Sequence, residues 1–197
     1  MGFSGLIDRD AIEAECAWED RDVHKTLYSL LADTASKFPN RNAVSYQLFS
    51  GPKDHAETLS WQDLHDKSVQ TANLFRSLGV GPDDVVAYVL PNANETVLSF
   101  FGGAIAGIVN PINPLLDAEQ IAGILRETNA KVLVTLKAFP KTDVAQKAAE
   151  AVRLAPNVKT VVEVDLLRYL TGVKKLIVPL IRPKNLVAHM AKVIDFT

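Results

Sequence analysis

The stretch VVAYVLPNANETVLSFFGGAIAGIVNPIN, from Val85 to Asn113, decides the fold of this chain. Its first part, Val85–Leu90, is a continuous apolar run without alternating polar residues, which is typical of a strand buried on both faces of a parallel sheet. The Pro-Asn pair that follows ends the strand and precedes a predicted helix. Asn94 can cap that helix through its side-chain oxygen, and Glu95 suits the positive end of the helix dipole.

The predicted helix has almost no polar surface, so we expect it to be largely buried. Small residues allow its backbone to approach a sheet closely: Gly102, Gly103, Ala104, Ala106 and Gly107. Ile108 and Val109 begin a second strand, which Pro111 and Pro114 end. Because strand–helix–strand crossovers are right-handed, the unit forms a parallel pair of strands.

The same alternation continues through most of the remaining chain. Further strands are predicted at residues 43–49, 58–59, 132–136 and 159–164. Local signals mark the helix ends: capping boxes at Ser60 with Asp63 and at Asp117 with Gln120, and a left-handed terminator at Gly79. Alternating strands and helices predict an α/β fold, with a mostly parallel sheet and helices on both faces.

Composition places the chain among ordinary globular proteins. It has 197 residues, 48% of them hydrophobic and 22% charged, which is enough for one domain with a sizeable core. A net charge of −2 gives no reason to expect a nucleic acid partner. Cys16 is the only cysteine, so no internal disulfide can form. The start of the chain lacks a secretory pattern, and we expect a cytoplasmic protein.

Charge divides the chain into three segments. Residues 1–25 are acidic and predict a lead-in arm, and residues 26–164 form the α/β core. Residues 165–197 form a basic and apolar tail, in which Pro179 and Pro183 should prevent one continuous helix. The apolar spacing over 186–196 predicts an amphipathic final helix. The chain then stops without a turn signal, so we expect the tail to be truncated.

Three stretches, in order along the chain, resemble the adenylate-forming acyl-CoA synthetase family. Thr58–Leu64 is similar to the segment in which the family passes from a strand into a helix. Gly79–Glu95 is similar to a segment in which the family has Gly-Val, then Gly-Asp, then an apolar strand that ends in Leu-Pro-Asn. Gly107–Glu119 is similar to its Asn-Pro turn and acidic helix start. One departure is Asp83-Asp84, where the family has Gly-Asp. The resemblance covers roughly residues 26–164 and implies the N-terminal subdomain of the adenylate-forming ligase fold.

The resemblance implies a function for the intact enzyme that this chain alone does not complete. Such an enzyme uses ATP and magnesium to convert a carboxylic acid, such as a fatty acid, to an acyl-adenylate, and then joins it to coenzyme A. The family's Ser/Thr/Gly-rich phosphate loop, magnesium-holding glutamate and C-terminal lysine have no counterpart in these residues. We therefore expect no catalytic residue and no bound cofactor in this chain, and an inactive fragment.

Two lysines are the candidate cofactor contacts. Lys137 and Lys141 follow a predicted strand at the sheet edge where open parallel sheets bind ligands, and they could meet the phosphates of coenzyme A. The alternative is two solvated lysines. The histidines lack metal-ligand spacing, so surface or capping roles and no metal site are predicted.

A second hypothesis differs in class. The chain could be a complete, non-catalytic α/β module that binds a partner or an anionic membrane surface through its basic and apolar tail. If the chain is a ligase fragment, the sheet and the apolar tail lose the later segments that would cover them, so we expect the fragment to self-associate, most simply as a two-fold dimer whose interface includes the tail.

Overall fold

The computed structural model describes residues 4–21, 23, 26–49, 51, 54–181, 183 and 191–196. Its helices are α1 (Leu6–Glu15), α2 (Leu27–Lys37), α3 (Trp61–Ser77), α4 (Asn94–Ala106), α5 (Ala118–Glu127), α6 (Val144–Leu154) and α7 (Gly172–Ile181). Its strands are β1 (Asn42–Tyr46), β2 (Glu57–Ser60), β3 (Val85–Val89), β4 (Ile108–Ile112), β5 (Val132–Leu136), β6 (Thr160–Val164) and β7 (Lys192–Asp195). Short 3-10 helices span Trp18–Asp20 and Leu166–Tyr169.

The main sheet has five parallel strands in the order β4-β3-β5-β6-β7. β5 and β6 are buried along their whole length, as continuous apolar runs in a two-faced sheet must be. Along the sheet, the chain moves in one direction from β3 to β4, and in the opposite direction from β4 to β5 and from β5 to β6. Right-handed crossovers therefore place α4 on one face, and α5 and α6 on the opposite face. The predicted α/β class is confirmed.

β1 and β2 depart from the predicted alternation, because they form a separate antiparallel pair. No helix lies among the described residues between them, so they pair as a hairpin does, whereas a parallel pair needs a long crossover. β1 also ends at Tyr46, three residues before the predicted end at Phe49. The small sheet packs through Leu59 into a second apolar cluster with Leu31, Leu64 and Leu98.

The start of α4 differs from prediction. The cap residue is Ala93, and Asn94 lies inside the first turn with its side chain 1% exposed and no capping hydrogen bond. The helix is buried as predicted, since none of its residues is fully exposed.

Pro111 does not end β4 but lies within it, paired with Tyr88. β4 is the outer strand of the sheet, and an edge strand tolerates a residue without an N–H donor.

The glycines of α4 and its end permit three close approaches. A Cβ at Gly103 would lie 3.0 Å from Val109 Cγ2, on the sheet. A Cβ at Gly102 would lie 2.5 Å from Thr71 Cγ2, so this glycine admits α3 instead of the sheet. A Cβ at Gly107 would come within 2.5 Å of a backbone oxygen. The predicted close packing of this helix is confirmed, with two different neighbours.

Local signals at the other helix ends are confirmed. Both predicted capping boxes form, with Ser60 accepting from the Asp63 N–H and Asp117 accepting from the Gln120 N–H. Gly79 ends α3 with φ +84°, in the left-handed region.

Asp84, the second residue of the Asp-Asp departure, has a structural role. Its carboxylate accepts from the Gly81 N–H and from Lys131 Nζ, each at 2.8 Å. The hydrogen bond from Lys131, followed by that from Gly81, lowers the pKa of Asp84 below its ordinary value. Asp83, at the position of the family's glycine, is exposed.

The tail is not built as predicted. α7 continues through Pro179, although proline was expected to interrupt it. Residues 192–195 form the parallel strand β7 against β6, so the predicted final helix is wrong there, and 184–190 lie outside the described residues. The open edge of β6 explains why this segment is a strand and not a helix. The backbone N–H and C=O groups along that edge need hydrogen-bond partners, and a neighbouring strand supplies one for each of them. Among the described helices, none is both long enough and apolar enough to cross a membrane.

Candidate functional site

The carboxyl ends of β3 and β5 define the place where this sheet can bind a ligand. These strands are neighbours, but the chain leaves β3 toward one face and β5 toward the other. In open α/β sheets, such a switch of direction opens a crevice outside the carboxyl ends of the two strands, and ligands bind there. The segments at this edge are therefore the candidate site: residues 90–95, 137–143 and 165–170.

Glu95 is the central charged group at this edge. It lies in the first turn of α4, directly after β3, and its side chain is only 2% exposed. Arg168, in the 3-10 helix after β6, forms an ion pair with Glu95 Oε1. Tyr169 donates its hydroxyl to Glu95 Oε2 at 2.7 Å. A carboxylate this deeply buried must be paired and hydrogen-bonded, and both oxygens of Glu95 are.

Glu57 on β2 extends the network to the small sheet. Arg168 Nη2 donates to both carboxylate oxygens of Glu57, at 2.7 and 2.8 Å, so a single nitrogen of the guanidinium contacts both oxygens. Asn94 donates its amide N–H to Glu57 Oε1 at 2.9 Å. Three parts of the chain thus meet at one point: β2, the start of α4, and the 3-10 helix that contains Arg168 and Tyr169. We call Glu57, Asn94, Glu95, Arg168 and Tyr169 the edge cluster.

Aromatic rings cover one side of the edge cluster. Tyr46 on β1 meets the ring of Tyr169 edge to face, with centroids 4.8 Å apart. Burial, then the hydrogen bond to the Glu95 carboxylate and its negative charge, raises the pKa of Tyr169 well above its ordinary value. Burial and the charge of Glu95 also raise the pKa of Tyr46. Both hydroxyls therefore stay protonated at neutral pH.

A cleft of about 390 Å³ adjoins the edge cluster. Its polar lining consists of three residues of the edge cluster, Glu57, Asn94 and Arg168, and three residues of α3, Lys67, Gln70 and Thr71. Leucines from β2, α3 and α4 form its apolar wall, together with Phe196: Leu59, Leu74 and Leu98. Its size and mixed lining suit a small ligand or a flexible apolar segment.

The charged groups of the edge cluster pair within the cluster. Its two carboxylates both contact the Arg168 guanidinium, and it contains no histidine, serine or cysteine. Among the residues that the structure describes, no group of three or more His, Cys, Asp and Glu side chains could hold a metal ion. The expected absence of catalytic residues and metal ligands in this chain stays a prediction.

The two predicted lysines lie at the same edge but differ in their surroundings. Lys137 follows β5, and its Nζ pairs with Asp195 Oδ1 on β7 at 3.0 Å. Lys141 is exposed and adopts a left-handed backbone, with φ 64°. Neither lysine is part of the edge cluster. The role predicted for them in binding coenzyme A phosphates stays a prediction.

The sequence predicted the edge but missed the cluster on it. Glu95 was assigned to the helix dipole and Asn94 to a cap, and no function was assigned to Glu57 or Arg168. One signal was available: a single acid in a helix with almost no other polar surface needs a basic partner if that helix is buried. The identity of the partner could not be read from the sequence, because Arg168 lies 73 residues from Glu95.

These features define a class: an α/β protein with a parallel sheet whose strand order reverses at a ligand-binding edge. The comparison with known families is more specific. Residues 31–182 match the AMP-binding enzyme family, and the chain belongs to that family.

Several curated relatives carry names of acid–CoA ligases, and two carry names of bacitracin synthases. The chain is 31% identical over 156 residues to marinolic acid–CoA ligase of Pseudoalteromonas sp. (strain SANK 73390), an alignment that covers 77% of this chain and 24% of the relative. It is 33% identical over 120 residues to long-chain-fatty-acid–CoA ligase of Bacillus subtilis (strain 168), covering 60% and 20%. It is 34% identical over 113 residues to 4-coumarate–CoA ligase 1 of Arabidopsis thaliana, covering 57% and 19%. The chain thus spans about a quarter or less of these relatives.

Proposed function

We propose that this chain is the N-terminal part of an acid–CoA ligase. The intact enzyme would activate a carboxylic acid with ATP and magnesium, form an acyl-adenylate, and transfer the acyl group to coenzyme A. The observation that carries the proposal is the family match over residues 31–182, together with relatives named as CoA ligases for three different acids. A fatty acid is the proposed substrate class, and the cytoplasm is the proposed location.

The chain's own part in this reaction would be to build the ligand-binding edge. β3, β5 and β6 bring their carboxyl ends together, and the edge cluster fixes the segments that follow β3 and β6. The exposed ammonium of Lys141 is the better of the two proposed contacts for a coenzyme A phosphate. Lys137 would have to exchange its ion pair with Asp195 for the phosphate.

We further propose that the 197-residue chain forms no acyl-adenylate by itself. In its 197 residues no Ser/Thr/Gly-rich stretch ends in Pro-Lys-Gly, and a phosphate-binding loop of that kind holds its anion through clustered backbone N–H groups. The edge cluster offers no replacement, because Arg168 is already paired with two carboxylates.

Two measurements test the proposal. The purified chain should release no pyrophosphate above the acid-free blank when given ATP, magnesium and a panel of fatty and aromatic acids. Acid-dependent release would contradict the inactive-fragment proposal.

The second measurement reads the genomic frame beyond Thr197. We expect it to continue into a Ser/Thr/Gly-rich loop ending in Pro-Lys-Gly, and we expect the encoded protein to show acid-dependent pyrophosphate release and thioester formation with coenzyme A. A stop codon directly after Thr197 would instead favour the non-catalytic module.

A further inference from the structure

α7 carries an apolar stripe that the described part of the protein leaves uncovered. Val173, Leu176, Ile177 and Leu180 are 68%, 74%, 49% and 85% exposed. At about 100° per residue, these four positions fall within about 100° of one another around the helix axis. Four large apolar side chains on one side of a ten-residue helix form a continuous surface, unlike the single exposed apolar residues that are common on proteins.

The other side of α7 is attached to the protein. Lys174 Nζ lies 3.9 Å from the centroid of the Phe49 ring and 3.4 Å from Asp54 Oδ1. Val178, one turn further along the same side, is half-buried. The helix thus contacts the small sheet region through Lys174, with the half-buried Val178 on the same side, and the apolar stripe points away from this contact.

The charge of α7 indicates what could cover the stripe. Its charged residues are Lys174 and Lys175, with no acid among its ten residues. At about 100° per residue, Lys175 lies roughly 150° from the centre of the stripe, so the side of α7 opposite the stripe is basic. A negatively charged lipid surface suits a helix with one apolar side and one basic side.

The area of the stripe argues in the same direction. A ten-residue helix is about 15 Å long, so one face of it supplies roughly a few hundred Å². A specific protein–protein interface removes about 800 Å² from each partner. A lipid surface has no such minimum, because each apolar side chain that enters the interface adds to binding separately.

We propose that α7 lies on the surface of an anionic membrane, with Val173, Leu176, Ile177 and Leu180 inserted at the headgroup–acyl boundary and Lys175 at the anionic headgroups. This is surface attachment and not a membrane span. It does not depend on the ligase function, because it rests only on the exposure, charge and attachment of α7. Self-association through the tail would cover the same stripe with a second copy of the chain, whereas here the stripe is covered by lipid.

Vesicle sedimentation tests the proposal with the purified chain. The chain should sediment with mixed phosphatidylcholine–phosphatidylglycerol vesicles, and less with pure phosphatidylcholine or at high salt. The double variant Leu176→Asn/Leu180→Asn should bind the mixed vesicles about tenfold more weakly or worse, since two apolar side chains no longer insert. Lys175→Glu should weaken binding to the mixed vesicles only.

A matched control is available on α1. Leu6 and Ile7 are 69% and 86% exposed, on a helix with four acids and one arginine. Leu6→Asn/Ile7→Asn should therefore leave vesicle binding unchanged. All these positions are exposed, so every variant should keep the parental circular dichroism spectrum and urea midpoint.

Three results would overturn the assignment. The first is equal vesicle binding by the parent and the Leu176/Leu180 variant. The second is a lipid-free dimer, by light scattering, that this variant converts to a monomer. The third uses a polarity-sensitive dye on Leu180→Cys in a Cys16→Ser background, in the protein encoded by the whole reading frame: a dye already shielded before vesicles are added would show that another protein segment covers the stripe.

Discussion

Replacing Arg168 by Met tests the edge cluster most directly. The substitution keeps much of the apolar stem but removes the guanidinium that pairs with Glu95 and Glu57. Glu95 would keep the hydroxyl of Tyr169 as a donor, but its buried charge would lose its cation, with a second carboxylate close by. We expect the folded chain to be destabilised.

The size of the effect follows from the exposure of each partner. Exposed ion pairs contribute about 0.2–1 kcal/mol, and breaking a buried pair costs about 3–5 kcal/mol. The Glu95 side chain is 2% exposed, but those of Arg168 and Glu57 are 46% and 30% exposed. The contact of Arg168 with Glu95 is thus nearer to a buried pair, and its contact with Glu57 nearer to an exposed pair. We therefore expect the free energy of unfolding to fall by about 2–3 kcal/mol. For a chain of this size, that corresponds to a fall in Tm of about 4–12 °C.

Urea unfolding followed by circular dichroism measures this loss, and a double-mutant cycle assigns it. Glu95→Gln removes the buried charge, so the pair Glu95→Gln/Arg168→Met should be more stable than the sum of the two single losses implies, by about 1 kcal/mol or more. Arg153→Met is the control, because it removes an ion pair with Glu150 in which both side chains are well exposed, and it should cost less than about 1 kcal/mol. If Arg168→Met and Arg153→Met cost the same, or if the cycle shows no coupling, the edge cluster is not the structural connection described above.

Two further predictions concern the core and the tyrosine of the cluster. Phe75→Ala should cost about 3–5 kcal/mol of unfolding free energy, because Phe75 is 0% exposed, whereas Phe101→Ala should cost about half as much, because Phe101 is only partly buried; equal urea midpoints would contradict this order. Because the folded pKa of Tyr169 lies above its unfolded value of about 10, its contribution to stability is fully present below pH 10 and is lost as pH rises further. Tyr169→Phe should therefore be less stable than the parent at neutral pH, through the lost hydrogen bond to Glu95, but its stability should fall less steeply above pH 10; parallel curves would contradict the assignment.

Local patterns predicted the main sheet because each unit is decided by neighbouring residues. The buried run at Val85, the capping boxes, and the left-handed Gly79 depend on contacts within a few residues, and all of them form. The separate pairing of β1 with β2 was missed, since their pattern is also compatible with a parallel sheet. The division of the chain at residues 25 and 164 stays a prediction.

The prediction for the secondary structure of the tail was wrong, and the burial of single α4 side chains could not be predicted, because contacts far apart in the chain decide both. Residues 192–195 pair with a strand more than thirty residues earlier, and that open edge outweighs the helical spacing of the segment. The apolar sequence of α4 predicts a largely buried helix, and replacing a fully buried phenylalanine with alanine costs about 3–5 kcal/mol. The structure leaves Phe101 of this helix partly buried against the smaller apolar cluster, so its expected cost is lower.

The edge cluster was beyond sequence reasoning because its members lie far apart in the chain. Arg168 pairs with residues 73 and 111 positions earlier, and no periodicity or capping rule connects such positions. The lysines at the same edge were identified by their place after a strand, which is local information. A sequence can therefore indicate the edge at which a ligand binds, while the side chains that shape this edge require the fold.

A buried ion pair at this edge is better explained by geometry than by stability. Replacing such a pair with packed apolar residues is often neutral or stabilising, because desolvation offsets most of the attraction between the charges. The contacts from Arg168 Nη2 to Glu57 and from Nη1 to Glu95 instead fix direction: they hold β2 and the segment after β6 in one position relative to the start of α4. These are the segments that border the cleft of about 390 Å³. An apolar replacement such as Glu95→Leu/Arg168→Met would keep much of the unfolding free energy while removing this directional constraint, so the edge cluster would act on the shape of the cleft more than on the stability of the fold.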